Sequence, residues 1–160
     1  MEKTRKIIFA SLFAALCCVL TMIIRIPSPL GGFINLGDAA VLASGCFLGG
    51  VYGFFAAGIG SSLADIFSGY IMYAPATFII KGLMALLISV FYKKQKKSLL
   101  VFGALCSELV MCIGYYIYEG ALYGFYESLI NIPANIIQGV FGLFAGLILI
   151  GIFKKNKIFY

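Results

Sequence analysis

Lys81 stands alone inside the apolar stretch "GYIMYAPATFIIKGLMALL". A basic side chain so placed serves either as a counter-ion or as a contact for a polar ligand. Glu108 occupies a second apolar stretch and Asp65 the end of a third, while Asn131, Asn135 and Gln138 recur at i, i+4, i+7 on one helical face of another. Asn35, Asp38, Tyr73, Thr77 and Tyr115 complete the candidate set. Charged, amide and hydroxyl groups of this kind pair with one another or hydrogen-bond a small polar molecule. The chain has no histidine, and its five cysteines (Cys17, Cys18, Cys46, Cys106, Cys112) lie in apolar segments without CxxC spacing. No metal or cofactor is therefore expected, and the cysteines read as free thiols packed as small hydrophobes. Lys81 and Glu108 form a conceivable acid–base pair, but no clustered catalytic motif accompanies them, so an enzyme is not expected.

The elements that position these residues are membrane spans. Of 160 residues 62% are hydrophobic and only 11% charged, too little polar covering for a domain dispersed in water. Apolar runs recur from end to end between short Gly, Pro or Lys clusters, which predicts one domain over 1–160. It is an all-α, polytopic bundle of six transmembrane helices, near 7–26, 37–50, 52–69, 73–92, 99–118 and 130–153. The opening "MEKTRKIIFASLFAALCCVL" has the basic head and apolar middle of a secretory signal but no small-x-small cleavage site, and reads as the first span.

Six spans put ten of the twelve basic residues on one face: Lys3, Arg5 and Lys6; Lys93, Lys94, Lys96 and Lys97; Lys154, Lys155 and Lys157. Basic residues accumulate on the cytoplasmic side, so both termini are expected there, in a multi-pass protein of the cell membrane. The net charge of +6 is accounted for by this anchoring and needs no nucleic-acid partner. Arg25 and Lys81 escape the rule.

At about 1.5 Å per residue, Lys81 lies ~12 Å below the outer surface, Glu108 ~15 Å and Asp65 ~6 Å. Polar groups thus converge on one outward-facing level, whereas the inner halves offer almost none. A pore needs polar lining on both sides and a cup on one, so a binding cup is expected. Lys81 either docks a ligand there or neutralises Glu108 or Asp65. Seven of the ten tyrosines (Tyr70, Tyr73, Tyr115, Tyr116, Tyr118, Tyr123, Tyr126) cluster toward the outer face. They serve an interfacial belt or stack on a flat ring. In the first external loop, "RIPSPLGGFINLGDAA", Asn35 or Asp38 caps the second helix, and the loop itself is a candidate lid. Small residues four apart (Ala10 and Ala14; Gly45, Gly49 and Gly53; Gly142 and Gly146) allow close helix packing, and Ala10, Ala14 and Ala15 form a shallow strip open to a partner.

The stretch "INLGDAAVLASGCFLGGVYGFFAAGIGSSLADIFSGYIMYAPATFIIKGLMALL", with "NIPANIIQGVFG" later, resembles the S components of energy-coupling factor (ECF) vitamin transporters. Within them it is most similar to the riboflavin, pyridoxine and hydroxymethylpyrimidine branch. The resemblance implies a subunit that binds a vitamin or precursor in an outward cavity beneath loop 1. It also implies association with a membrane T subunit and two ATPases for ATP-driven uptake. It assigns substrate contacts to loop 1 around Asn35 to Asp38, to the Lys81 region, and to Asn135 and Gln138, and a T-subunit contact to Ala10 and Ala14. ATP hydrolysis belongs to the partners, because the chain has no GxxxxGK[ST] loop. A shorter N-terminus and the lack of tryptophan set the chain apart from the riboflavin type, so pyridoxine and hydroxymethylpyrimidine stand beside riboflavin. Two alternatives have their own signatures. A non-binding assembly subunit would gain no stability from any ligand, and a stand-alone transporter would carry solute without ATPase partners.

Overall fold

A computed structural model describes residues 3–156. Helix α1 (Lys3–Ile23) leads into a hairpin of two short strands, β1 (Ile26–Pro27) and β2 (Phe33–Ile34). Then come α2 (Gly37–Leu48), α3 (Gly50–Phe67), α4 (Ala74–Tyr92) and α5 (Lys97–Tyr123). A short α6 (Phe125–Ser128) and a 3-10 turn at Leu129–Asn131 precede α7 (Ile132–Lys155). Among the described residues five helices are long and apolar enough to cross a membrane, and α2 is a shorter apolar sixth. The chain is thus an all-α polytopic bundle.

Local sequence explains most boundaries. Pro75 and Pro133 stand at the starts of α4 and α7, where a missing N–H costs nothing. Gly49, at φ 79°, makes the whole turn between α2 and α3. Several expected boundaries shift, the first helix beginning at Lys3 rather than 7, and two of the shifts have a visible cause. The first helix stops at Ile23 rather than 26, because Ile26 pairs with Ile34 and Pro27 with Phe33 across the hairpin. The fifth continues past 118 to Tyr123, ending at Gly124 with φ 106°.

α2 is the hub. It packs against α1, α3, α4 and α7, and all of its residues except Phe47 are buried. A helix apolar on every side belongs in such a position. The periphery carries exposed Ile7, Leu12, Phe67, Phe144 and Ile148, the outward apolar surface of a protein solvated by lipid. Basic residues gather at one end: Lys6 lies over the Tyr52 ring, Phe13 and Phe47 both meet Phe153, and Lys96, Lys97 and Lys154 line one groove. Lys157 of the expected basic set lies outside the described residues. The five cysteines are free thiols, Cys17 and Cys46 fully buried.

Candidate functional site

Opposite the basic end, the β1–β2 hairpin folds over the mouths of α3, α4, α5 and α7. Its turn is closed by Ser28 N–H donating to the Gly32 carbonyl at 2.9 Å. Side chains from the bundle tie it down. Asn131 Oδ1 accepts from Leu30 N–H at 3.2 Å, and the Tyr73 hydroxyl donates to the Leu30 carbonyl at 3.3 Å. Gln138 Oε1 accepts from both the backbone N–H and the side-chain amide of Asn35, at 3.1 and 3.2 Å. The Phe33 ring rests on Tyr70, with centroids 4.9 Å apart.

Beneath this roof is a small polar cup. Loop 1 supplies Ser28, Gly32, Phe33 and Asn35; the α3–α4 region supplies Asp65, Tyr70, Tyr73 and Thr77; α5 supplies Tyr115 and Glu119; and α7 supplies Asn135 and Gln138. Thr77 Oγ1 and the Tyr115 hydroxyl bond at 3.0 Å across the α4–α5 wall. Glu119 Oε1 accepts from Asn131 Nδ2 at 2.8 Å and from the Tyr73 hydroxyl at 3.4 Å, while its Oε2, like Asp65 Oδ2, is buried without a hydrogen-bond partner. The cup's free volume is about 30 Å³. That holds a water or two, against the several hundred Å³ of a typical small-molecule site.

One helical turn deeper lies a buried ionic lock. Lys81 Nζ pairs with Asp38 Oδ1, Gln138 Nε2 donates to Asp38 Oδ2 at 2.8 Å, and the ammonium stands 5.5 Å from the centroid of the Tyr115 ring. The counter-ion of Lys81 is therefore Asp38, not Glu108 or Asp65 as the sequence suggested. The reason is positional: Asp38 is the one charged residue on the hub helix, and α2 offers it no polar face. It is consequently not the cap. Leu36 stands at the N-cap without a side-chain cap bond, and the first helical N–H, that of Gly37, is taken by Asn35 Oδ1 at 2.9 Å. Glu108 lies beside this lock with neither carboxyl oxygen hydrogen-bonded. It stands against Gly142, where a Cβ would come within 2.6 Å of Asp38 Cβ and 3.0 Å of Glu108 Oε1. Only glycine lets α7 pass so close to both carboxylates.

Of the candidates, Asn35, Asp65, Tyr73, Thr77, Tyr115, Asn135 and Gln138 line the cup. Asp38, Lys81 and Glu108 lie under its floor, and Asn131 holds its roof from the 3-10 turn. Ala10 and Ala14 are half-buried against the terminal-end core, the Ala14 carbonyl facing Gly60 of α3, whereas Ser11 and Ala15 are exposed. Sequence reading missed Glu119, along with Ser28, Gly32 and Phe33, and placed Tyr70 only among the outer tyrosines. Ending the fifth helix at 118 cast Glu119 into a loop, although Tyr115, Glu119 and Tyr123 follow i, i+4, i+8 spacing, the signal of a continuing face.

Comparison with known proteins agrees with this architecture. The family model "ECF-type riboflavin transporter, S component" matches residues 1–155. A protein of Pyrococcus woesei described as "Uncharacterized protein in gap 3'region" is 34% identical over 130 residues, covering 80% of this chain and 87% of its own length. With the match running through nearly the whole chain, this protein belongs to the family of ECF-type riboflavin transporter S components.

Proposed function

We propose that the chain captures a small ring-containing vitamin or precursor, of the riboflavin, pyridoxine or hydroxymethylpyrimidine class, in the cup beneath loop 1. The cup faces outward, both termini are cytoplasmic, and uptake is driven by ATP through a T subunit and two ATPases. The observation that carries this reading is the construction of the site: hydroxyls, amides and carboxylates converge at one end of the bundle with four aromatic rings, under a roof fastened largely by side-chain hydrogen bonds. Such a roof can release bond by bond. The small free volume requires it to do so, since a vitamin ring enters only when loop 1 lifts and carries Phe33 away from Tyr70. Helix α1 is the proposed T-subunit face, at Ala10 and Ala14 with their exposed neighbours Ser11 and Ala15.

The test is thermal unfolding of the purified protein with each of the three vitamins. A ligand at a hundred times its Kd stabilises the native state by about 2.7 kcal/mol. No shift with any of them would overturn the binding function and leave an assembly subunit.

A further inference from the structure

The proposed cup is chemically one-sided. Two carboxyl oxygens, Asp65 Oδ2 and Glu119 Oε2, are buried in its wall without hydrogen-bond partners, on residues 5% and 2% exposed. They come from different helices, α3 and α5, so the demand for a donor is made from two sides. Among the described residues no basic side chain lines the cup. Lys81, the nearest candidate, is committed to Asp38 beneath the floor, and Arg25 is exposed on the hairpin approach. Phe33, Tyr70, Tyr73 and Tyr115 also line the space, and the negative faces of aromatic rings attract cations. Ionised carboxylates only accept hydrogen bonds, and buried ones are most strongly satisfied by a charged donor.

From this juxtaposition of two unpartnered carboxyl oxygens with four aromatic rings, we infer that the cup selects a flat heteroaromatic molecule carrying a net positive charge from an ammonium group beside its ring. It discriminates against neutral and anionic relatives. The inference rests on the binding function proposed above and narrows its ligand. Asp65 and Glu119 receive the cationic donor, and the aromatic rings enclose the plane. Glu119 Oε1 remains engaged with Asn131 and Tyr73, so the ligand contact falls to Oε2.

A matched pair of probes tests it. Pyridoxine and pyridoxamine share one ring and differ in a hydroxymethyl against an aminomethyl group that is protonated at neutral pH. Titration calorimetry on the full chain in detergent is expected to show pyridoxamine binding at least tenfold more tightly, the scale of a hydrogen bond to a charged group. Pyridoxal 5′-phosphate, with its added dianion, is expected not to bind. Glu119→Gln keeps Oε1 for Asn131 and Tyr73, and Asp65→Asn is similarly isosteric; each is expected to shrink the pyridoxamine-to-pyridoxine ratio toward unity. If pyridoxine or riboflavin binds as tightly as pyridoxamine, or if the ratio survives both substitutions, the charge selection is refuted while vitamin capture stands. If none of these compounds binds and hydroxymethylpyrimidine does not bind either, vitamin capture fails and the inference with it. The wild-type ratio decides the matter even where a variant does not fold.

Discussion

Replacing Lys81 by methionine keeps length and apolar bulk but deletes the ammonium from the Lys81–Asp38–Gln138 lock. Asp38 is wholly buried and retains only the 2.8 Å bond from Gln138 Nε2. Breaking a buried pair by removing one partner costs ~3–5 kcal/mol, chiefly because the other charge is stranded. At roughly 2–4 °C per kcal/mol for a chain of this size, the melting temperature should fall by about 6–20 °C. Asp38→Asn strands the ammonium instead, leaving it over the Tyr115 ring, a contact worth ~2 kcal/mol when desolvated, so this loss should sit at the lower end. The double variant removes both charges and should cost less than the sum of the singles, with a coupling of about 2–3 kcal/mol. Thermal unfolding of the four proteins in one detergent supplies the cycle. Because the lock lies under the cup's floor, the double variant should still bind ligand. Additive losses, or single losses below about 1 kcal/mol, would refute the claim that this pair is the central electrostatic tie of the bundle.

Three shorter predictions follow from named contacts. Gln138→Ala removes the acceptor that holds Asn35 by two hydrogen bonds, so limited proteolysis should cut loop 1 faster and the ligand's dissociation rate should rise. Gly142→Ala should cost ~1–3 kcal/mol by forcing α7 off Asp38 and Glu108. Gly151→Ala on the same helix, with nothing within 4 Å of the new methyl, should gain up to about 1 kcal/mol; equal melting temperatures for the two would contradict the close approach. Ala15→Leu adds bulk on the exposed side of α1 and should block co-purification with the T subunit at unchanged stability, whereas Ala10→Leu should also lower the melting temperature; normal assembly of both would remove α1 from the interface.

The bundle was legible because lipid imposes a simple grammar: apolar runs long enough to span, broken by Gly, Pro and Lys, account for the long helices and for the gathering of Lys6, Lys96, Lys97 and Lys154 at one end. The convergence of Asp65, Thr77, Tyr115, Asn135 and Gln138 was legible for a related reason, since polar side chains in apolar helices are compelled to find one another. Pairing was not. One-dimensional depth puts Glu108 and Asp65 nearer to Lys81 than Asp38, which stands one residue into its helix, and what selects Asp38 is the central place of α2, a property of all the neighbouring helices together. The β1–β2 hairpin was also hidden. Its strands are two residues each, and what fixes them is the grip of Asn131, Tyr73 and Gln138, residues 43 to 103 positions away.

The distribution of polar groups below the lock bears on how the proposed transport divides its labour. Beneath Lys81 and Asp38 the core is Leu42, Met84, Ile88, Ala104 and Ile150, all essentially inaccessible. The hydroxyls at that depth are taken up by backbone carbonyls: Ser44 donates to Val41 and Ser89 to Leu86 on their own helices, and Ser107 shares its proton between Gly103 on its own helix and Met84 of α4. A hydroxyl so engaged offers no stepping stone to a solute. Crossing this layer would mean breaking the ionic lock and opening a packed apolar core, each a cost of several kcal/mol that ligand binding at the opposite end does nothing to offset. On the proposed function the chain holds a solute at one end without passing it, and the work of release comes from a partner. Vesicles containing the chain alone should therefore bind ligand without accumulating it. Accumulation in the absence of any ATPase would show that the packed layer opens unaided.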